Sequence, residues 1–334
     1  MLKPTRDTAL QRPDLGESAF EINQEAPTMG YIGSIVFPYH RVRVNSMEYP
    51  VMPKELLLQL LDTSRGPSGH YNRWEGQFES GFFKTYERGL EAVRDDRFLA
   101  MYESLFDYEL MLTRVNQEGI MRKMEYDIAA KVFNTAQFTP HNAAVNWATV
   151  DSATPKKDID EGKKALRLNG VTPNCLIVTY SQFLDLQRNA EIQARVYQIF
   201  PDAMKTGDVT IAHLRSYFDV EQVLVAGAIY NSAQRNQDAE IAEIWGDRYA
   251  MLCRIARQGS DITEPCIGRT FLWNEGAGAE LIVEEYRDES VRSDVIRNRH
   301  DVDYAYIRSY DEDKTVKSDI SAACGYLIDT TAAT

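Results

Sequence analysis

Apolar residues recur every three or four positions between 97 and 136. Phe98, Met101, Leu105, Tyr108, Leu112 and Val115 make one stripe, and Ile120, Met124, Ile128 and Val132 extend it beyond Gly119. No proline intervenes before Pro140. The spacing predicts one long helix with an apolar face, bent at Gly119. Glu118 and Arg122, four residues apart, support the same helix.

Upstream of it the pattern is that of β structure. Tyr31–Phe37 is expected as a strand stopped by Pro38, and Arg41-Val42-Arg43-Val44 alternates charged and apolar. A short helical piece at 53–62 and the turn-rich run Arg65-Gly66-Pro67-Ser68-Gly69 follow. Trp74, Phe78, Phe82 and Tyr86 are then spread along a charged, strand-like return. Two such segments around a Gly/Pro tip predict a long hairpin, which needs another surface to lie on. Residues 1–30, polar and carrying Pro4, Pro13 and Pro27, are expected as an extended arm.

Downstream, residues 150–260 alternate helix and strand. Asp151 or Ser152 caps a helix that Gly170 ends. Cys175–Tyr180 is an apolar strand, Ser181 caps the next helix, and a helix at 209–218 precedes the strand Val223–Ala226. Tyr249–Ala256 is a further strand, completing an α/β block. Four more strands are expected at 268–273, 279–286, 303–310 and 324–328, with a charged link at 284–299.

Composition narrows the class. Of 334 residues, 44% are hydrophobic and 26% charged, as in an ordinary folded protein of about two domains. With 37 Lys plus Arg against 50 Asp plus Glu, the net charge of −13 argues against a dedicated nucleic-acid reader. No apolar run approaches the ~18 residues of a membrane span, and the N-terminus lacks the apolar stretch of a secretory signal. Cys175, Cys253, Cys266 and Cys324 have no metal-ligand spacing and fit free thiols in a reducing compartment, with Cys175 and Cys253 buried.

Motifs that carry chemistry are missing. Gly276-Ala277-Gly278 lacks the third glycine of a dinucleotide loop and the lysine of a phosphate loop. His40, His70, His141, His213 and His300 are scattered, so no catalytic, cofactor or metal residues are assigned. Asp311-Glu312-Asp313 is either a solvated turn, the favoured reading, or a cation contact. Glu125 is either an exposed helix charge or a partner across a subunit boundary. Lys54 and Lys84 keep a strand edge soluble, or bond covalently to a neighbour's asparagine, which requires a desolvated amine and a carboxylate base. Trp74, Phe78, Phe82, Phe83 and Tyr86 are too many aromatics for an exposed hairpin. They either fold back on the same domain or anchor a partner, and the hairpin's length favours the partner.

From about residue 30 onward the sequence resembles the major capsid proteins of tailed bacteriophages. The resemblance rests on an ordered set. It comprises Ile35-Val36-Phe37-Pro38, Tyr49-Pro50-Val51, Arg65-Gly66-Pro67, Tyr86-Glu87-Arg88-Gly89-Leu90-Glu91 and Glu125–Ala129. It continues through Trp147, Pro155, Asp158-Ile159, Gly170, Pro173-Asn174 and Phe218-Asp219-Val220 with Val223-Leu224-Val225. Ile244-Trp245-Gly246-Asp247, Gly268-Arg269-Thr270-Phe271 with Trp273, Tyr286-Arg287-Asp288-Glu289, Arg297, His300 and Gly325-Tyr326-Leu327-Ile328 complete it.

The resemblance implies an α+β, Hong-Kong-97-like capsid fold. Its parts would be an N-terminal arm (1–30), a peripheral strand (31–38), an extended E-loop hairpin (39–90) and a peripheral domain with a long spine helix (91–149). An axial α/β domain (150–265) and returning peripheral strands (266–334) would follow. It implies a structural protein, not an enzyme, forming pentamers and hexamers of an icosahedral head around double-stranded DNA held non-specifically. Arg65, Trp74, Phe78, Phe82, Tyr86, Arg88 and Glu125 are the expected inter-subunit contacts, and the hairpin would hinge around Gly89 and the preceding Tyr86–Arg88. A separate scaffolding protein and a portal protein are expected partners, with a decoration protein as an optional one. No cofactor or membrane is expected, and the chain would reside in the virion after assembly in the host cytoplasm. The alternatives are an encapsulin-like nanocompartment shell of the same fold, or an α/β enzyme using residues 150–260.

Overall fold

The computed structural model describes residues 10–12, 14–16, 30–53, 58–65, 67, 69–73, 78–102, 105–199, 209–234, 236–276 and 280–331. The chain opens with β1 (Leu10–Gln11), α1 (Gly33–Val36), β2 (Tyr39–Arg41) and β3 (Ser46–Val51). Then come β4 (Glu79–Lys84), β5 (Tyr86–Asp95), α2 (Asp96–Tyr102) and α3 (Tyr108–Val132). The middle holds β6 (Pro140–Asn142), α4 (Pro155–Leu168), β7 (Cys175–Thr179), α5 (Tyr180–Arg188), α6 (Ala190–Ile199) and α7 (Ile211–Phe218). After these lie β8 (Gln222–Ala226), β9 (Ile229–Asn231), β10 (Ile241–Glu243), β11 (Tyr249–Cys253) and β12 (Arg269–Leu272). The last stretch is β13 (Ile282–Asp288), β14 (Ser293–Ala305), β15 (Arg308–Tyr310), β16 (Val316–Asp319), α8 (Ile320–Ala323) and β17 (Gly325–Asp329).

Two mixed sheets organise these elements. The central one runs β6-β17-β11-β7-β8. All five residues of β7 are buried, because helices and loops cover both faces and the strand is apolar throughout. Pro155 at the first turn sets the start of α4 after Thr154. Gly170 ends it with φ +76°, a conformation that suits glycine. Thr179, not Ser181, caps α5: its hydroxyl accepts from the Gln182 N–H at 3.3 Å and Gln182 accepts from the Thr179 N–H at 3.1 Å. Cys175 and Cys253 face each other across β7 and β11, and all four cysteines are buried and free.

The peripheral sheet runs β1-β13-β14-β12-β2, with β5 also paired to the long β14. Here the structure corrects the charged link expected at 284–299. Those residues are the paired strands β13 and β14. Their charges are matched across strands, Arg299 to Glu284 at 2.8 Å and Arg297 to Glu91 at 2.7 Å, so a polar string is also a sheet.

The predicted long helix is two. Asp107 caps α3, accepting from the Leu110 N–H at 2.9 Å, so the stripe breaks after α2. Ile120, Met124, Ile128 and Val132 are buried as expected, whereas Phe98, Met101, Leu105 and Val115 are exposed. The expected bend at Gly119 is replaced by close packing within an unbroken helix. A Cβ there would lie 2.7 Å from Leu90 Cδ1.

Three further expectations change. Residues 33–36 are a helical turn rather than part of a strand, because the Ile32 and Gly33 N–H groups donate to Glu125. Residues 58–62 are not helical, and 54–57, with Lys54, lie outside the described residues. The strand at 324–328 joins the central sheet, pairing β11 and β6, rather than the peripheral strands. No helix among the described residues is long and apolar enough to cross a membrane.

Candidate functional site

The hairpin of β3 and β4 is rooted in its own subunit. Strand alternation sends Tyr49, Val51 and Phe83 inward, against Phe271, Ile307 and Ala256. The Phe83 and Phe271 rings stack at 4.4 Å. Gly81, opposite Tyr49, leaves room for that ring: a Cβ would lie 2.5 Å from Tyr49 Cζ. Glu79 accepts from Ser309 Oγ at 2.5 Å and pairs with Lys317 at 2.8 Å, and the Lys84 N–H donates to Asp303 at 3.3 Å. Phe83 therefore folds back onto its own domain, contrary to its expected role as a partner anchor.

The opposite face is bare. Phe82 is 52% exposed beside a Phe83 that is 1% exposed, and Phe78 and Tyr86 are equally open. Leu58, Leu60, Leu61 and Tyr71 of the connecting loop are also exposed. Arg65 stacks over Tyr71 at 4.6 Å and donates to the Gly69 carbonyl at 2.7 Å. The structure thus brings Arg65, Phe78, Phe82 and Tyr86 to the surface of one hairpin and its exit, while Trp74 lies outside the described residues. Lys84 is exposed, its ammonium 5.4 Å from the Tyr86 ring.

Arg88 and Glu125 do not belong to this surface. Arg88 is spent inside the subunit, paired with Asp127 and lying 4.9 Å over the Tyr304 ring. Glu125 is 2% exposed, neither a surface charge nor a boundary group. Its oxygens accept from Ile32 N at 2.9 Å, Gly33 N at 2.7 Å and Trp245 Nε1 at 2.6 Å. Burial pushes its carboxyl above the ordinary range, and the three donors pull it back only in part. The expected hinge residues, Tyr86–Arg88 and Gly89, all lie on β5. Gly89 sits mid-strand opposite Arg299, and a Cβ would lie 2.6 Å from the Asn298 carbonyl. The break between hairpin and sheet falls at Thr85.

Three of the histidines and the acidic run make contacts within the chain. His300 is buried opposite Arg88 and its imidazole is depressed to about 4, first by burial and then by that guanidinium. His213 Nδ1 accepts from the Thr210 N–H at 3.2 Å, and His141 stacks on Tyr326 at 4.1 Å. Asp311-Glu312-Asp313 is an exposed turn in which Asp311 binds Thr315. Among the described residues, no group of three His, Cys, Asp or Glu is placed to hold a metal ion. A cleft of about 650 Å³ lies between α3 and the central sheet, lined by Tyr31, Tyr39, Met121, Met124, Asn174 and Arg257 among others.

No family model matches the chain. It is 26% identical over 277 residues to the major capsid protein of Burkholderia phage BcepMu, spanning 80% of this chain and 86% of that one. A phage-related protein from Bordetella bronchiseptica RB50 superposes with a TM-score of 0.68 at 18% identity, covering 96% of this chain and 98% of that one. The capsid chain of cyanophage P-SCSP1u gives 0.52 at 9% identity over 88% of this chain and 86% of that one. The virus-like particle of Pyrococcus furiosus gives 0.51 at 9% identity over 97% and 100%. These structural likenesses establish the mixed α+β capsid fold. The sequence similarity is to a phage major capsid protein, so sequence and fold point to the same kind of protein.

Proposed function

We propose that copies of this chain close an icosahedral head, as pentamers and hexamers, around double-stranded DNA, and that the hairpin lies across a neighbouring copy. The split within the hairpin supports this reading. Tyr49 and Phe83 lock its base to the subunit, while Phe78, Phe82 and Leu60 are exposed. A surface to receive them is present on the same chain. Among the described residues β5 pairs on one side only, and Leu90 on its α3-facing side, with Met111 and Val115 on α3, is exposed. Burying each such side chain contributes about 1.5–3 kcal/mol, so a handful per contact outweighs the repulsion between subunits of net charge −13. Contacts that join unlike patches by rotation close into rings.

In this reading the segment before residue 30 is the arm, the part of residues 39–90 that stands off the peripheral sheet, from β3 to Thr85, is the E-loop, α3 is the spine helix and residues 150–265 form most of the axial domain. A scaffolding protein guides assembly in the host cytoplasm, a portal protein occupies one vertex, and the finished chain resides in the virion. Contact with the genome is through phosphates and without base preference.

Sizing and negative-stain imaging of wild type and Phe82→Ser, each produced with the phage's remaining head proteins, test the proposal. Closed particles are expected for wild type and folded, unassembled subunits for the variant. Wild-type chains that stay small oligomers under those conditions overturn it. The fold is shared with the virus-like particle of Pyrococcus furiosus, and one rival is a cellular compartment of that fold. Particles that co-purify with an enclosed protein instead of nucleic acid decide for that rival.

A further inference from the structure

Around the docked piece of the arm the charges form a closed ring. Arg12 lies 2.6 Å from Glu109 and also pairs with Glu285. Arg94 reaches the same two carboxylates, Glu109 at 2.7 Å and Glu285 at 2.9 Å, and Asp294 at 2.7 Å. Two guanidiniums and two carboxylates thus alternate, and each corner comes from a different part of the chain: the arm, β5, α3 and β13. The four side chains are 12–28% exposed, enough that bulk salt still reaches them. A third carboxylate, Asp14, holds the outer side of Arg12 at 2.7 Å.

Other anchors of this segment are few. β1 pairs two residues with β13, and the Arg12 N–H donates to the Val283 carbonyl at 3.0 Å. Leu15, against Val283 and Ile296, is its one buried apolar side chain among the described residues. Burial of a single leucine does not offset the conformational freedom lost by the whole segment. The ring adds the pairs of Arg12 with Glu109 and Glu285 to these anchors. Without Arg12, Arg94 alone would face Glu109, Glu285 and Asp294, and β13 would become an unpaired edge.

We propose that residues 10–12 and 14–16 form an ionic latch: Arg12 closes the ring with Glu109, Arg94 and Glu285 to hold this segment on β13, and opening the ring frees the segment and uncovers that strand edge. The latch is a property of the single chain and stands whether or not the chain builds a shell.

Hydrogen exchange on the unassembled chain tests it, comparing peptides that cover 10–16 with those from α3 and β14. Between about 50 mM and 1 M NaCl, protection of the arm peptide is expected to fall roughly tenfold while the α3 and β14 peptides hold. Arg12→Gln should show the low value at both salt concentrations. Leu15→Ala should weaken protection and keep the salt dependence. Salt-independent protection in the wild type overturns the latch, and so does an Arg12→Gln chain protected like wild type. Loss of the salt dependence in Leu15→Ala overturns it too, because the leucine would then be the lock.

Discussion

Trp245 Nε1 donates to Glu125 Oε1 across 2.6 Å, and that one bond ties the loop after β10 to α3. The same carboxylate receives the N–H groups that open α1, so three separate stretches of chain meet on a single side chain. Glu125→Ala leaves those buried donors unmatched and should cost about 3 kcal/mol, read as the urea midpoint of the isolated chain. Its pH dependence has a definite sign. Burial raises the folded carboxyl, so between the ordinary glutamate range and the folded value the native state binds the extra proton. The contribution of Glu125 to stability is full below that window and declines as pH rises through it. Glu125→Gln should remove this slope. An unchanged slope in the variant would assign it to another group.

His300 runs the other way. Its folded value near 4 lies below that of an unfolded imidazole, so the unfolded chain binds more protons in the interval. Stability from this residue is present above about pH 6.5 and falls by about 3 kcal/mol as pH drops toward 4. His300→Gln should flatten that part of the profile, measured by denaturant midpoints at successive pH values. Because the slopes of His300 and Glu125 oppose each other, the two single variants are needed to separate them.

Adjacent phenylalanines should behave oppositely. Phe83→Ser empties the stack on Phe271 and is expected to cost about 3–5 kcal/mol of subunit stability. Phe82→Ser should change the unfolding midpoint of the isolated subunit by less than about 0.5 kcal/mol and act only on association. Equal effects of the two on the unassembled chain would contradict the inward and outward alternation of β4.

Two glycines make a similar contrast. A methyl at Gly119 meets only the end of a half-exposed Leu90 side chain, which can turn aside. Gly119→Ala should therefore be neutral or stabilise by up to ~1 kcal/mol through helix propensity. A methyl at Gly268 would sit 2.3 Å from Cζ of the fully buried Phe37 ring. Gly268→Ala should cost about 1–3 kcal/mol through overpacking, visible in the same melts.

Legibility followed how local each signal was. The C-terminal half of α3 and the strand β7 could be read directly, because their apolar spacing matches what they bury. The hairpin was visible as two segments around a Gly/Pro tip, but its outgoing strand is Ser46–Val51 rather than the alternating Arg41–Val44, and Phe78, Phe82 and Tyr86 are exposed. Its inward residues were not separable from its outward ones, since Phe82 and Phe83 differ only in phase. Distant partners defeated the rest. Residues 33–36 have β-type side chains, yet a carboxylate 92 positions away from Gly33 fixes their N–H groups in a turn. The charged run at 284–299 looks solvated until Glu91 and Arg94, far upstream in sequence, are laid beside it. Glu125 carried no mark of burial, because the donors that satisfy it come from backbone and from an indole.

The position of β17 has a consequence for synthesis. It lies between β6 and β11, strands translated long before it, so the central sheet has a gap until residues 325–329 have left the ribosome. Nascent chains on a polysome then present no finished central block to one another. Chains arrested before Gly325 should be digested at the Cys175–Thr179 strand that full-length chains protect.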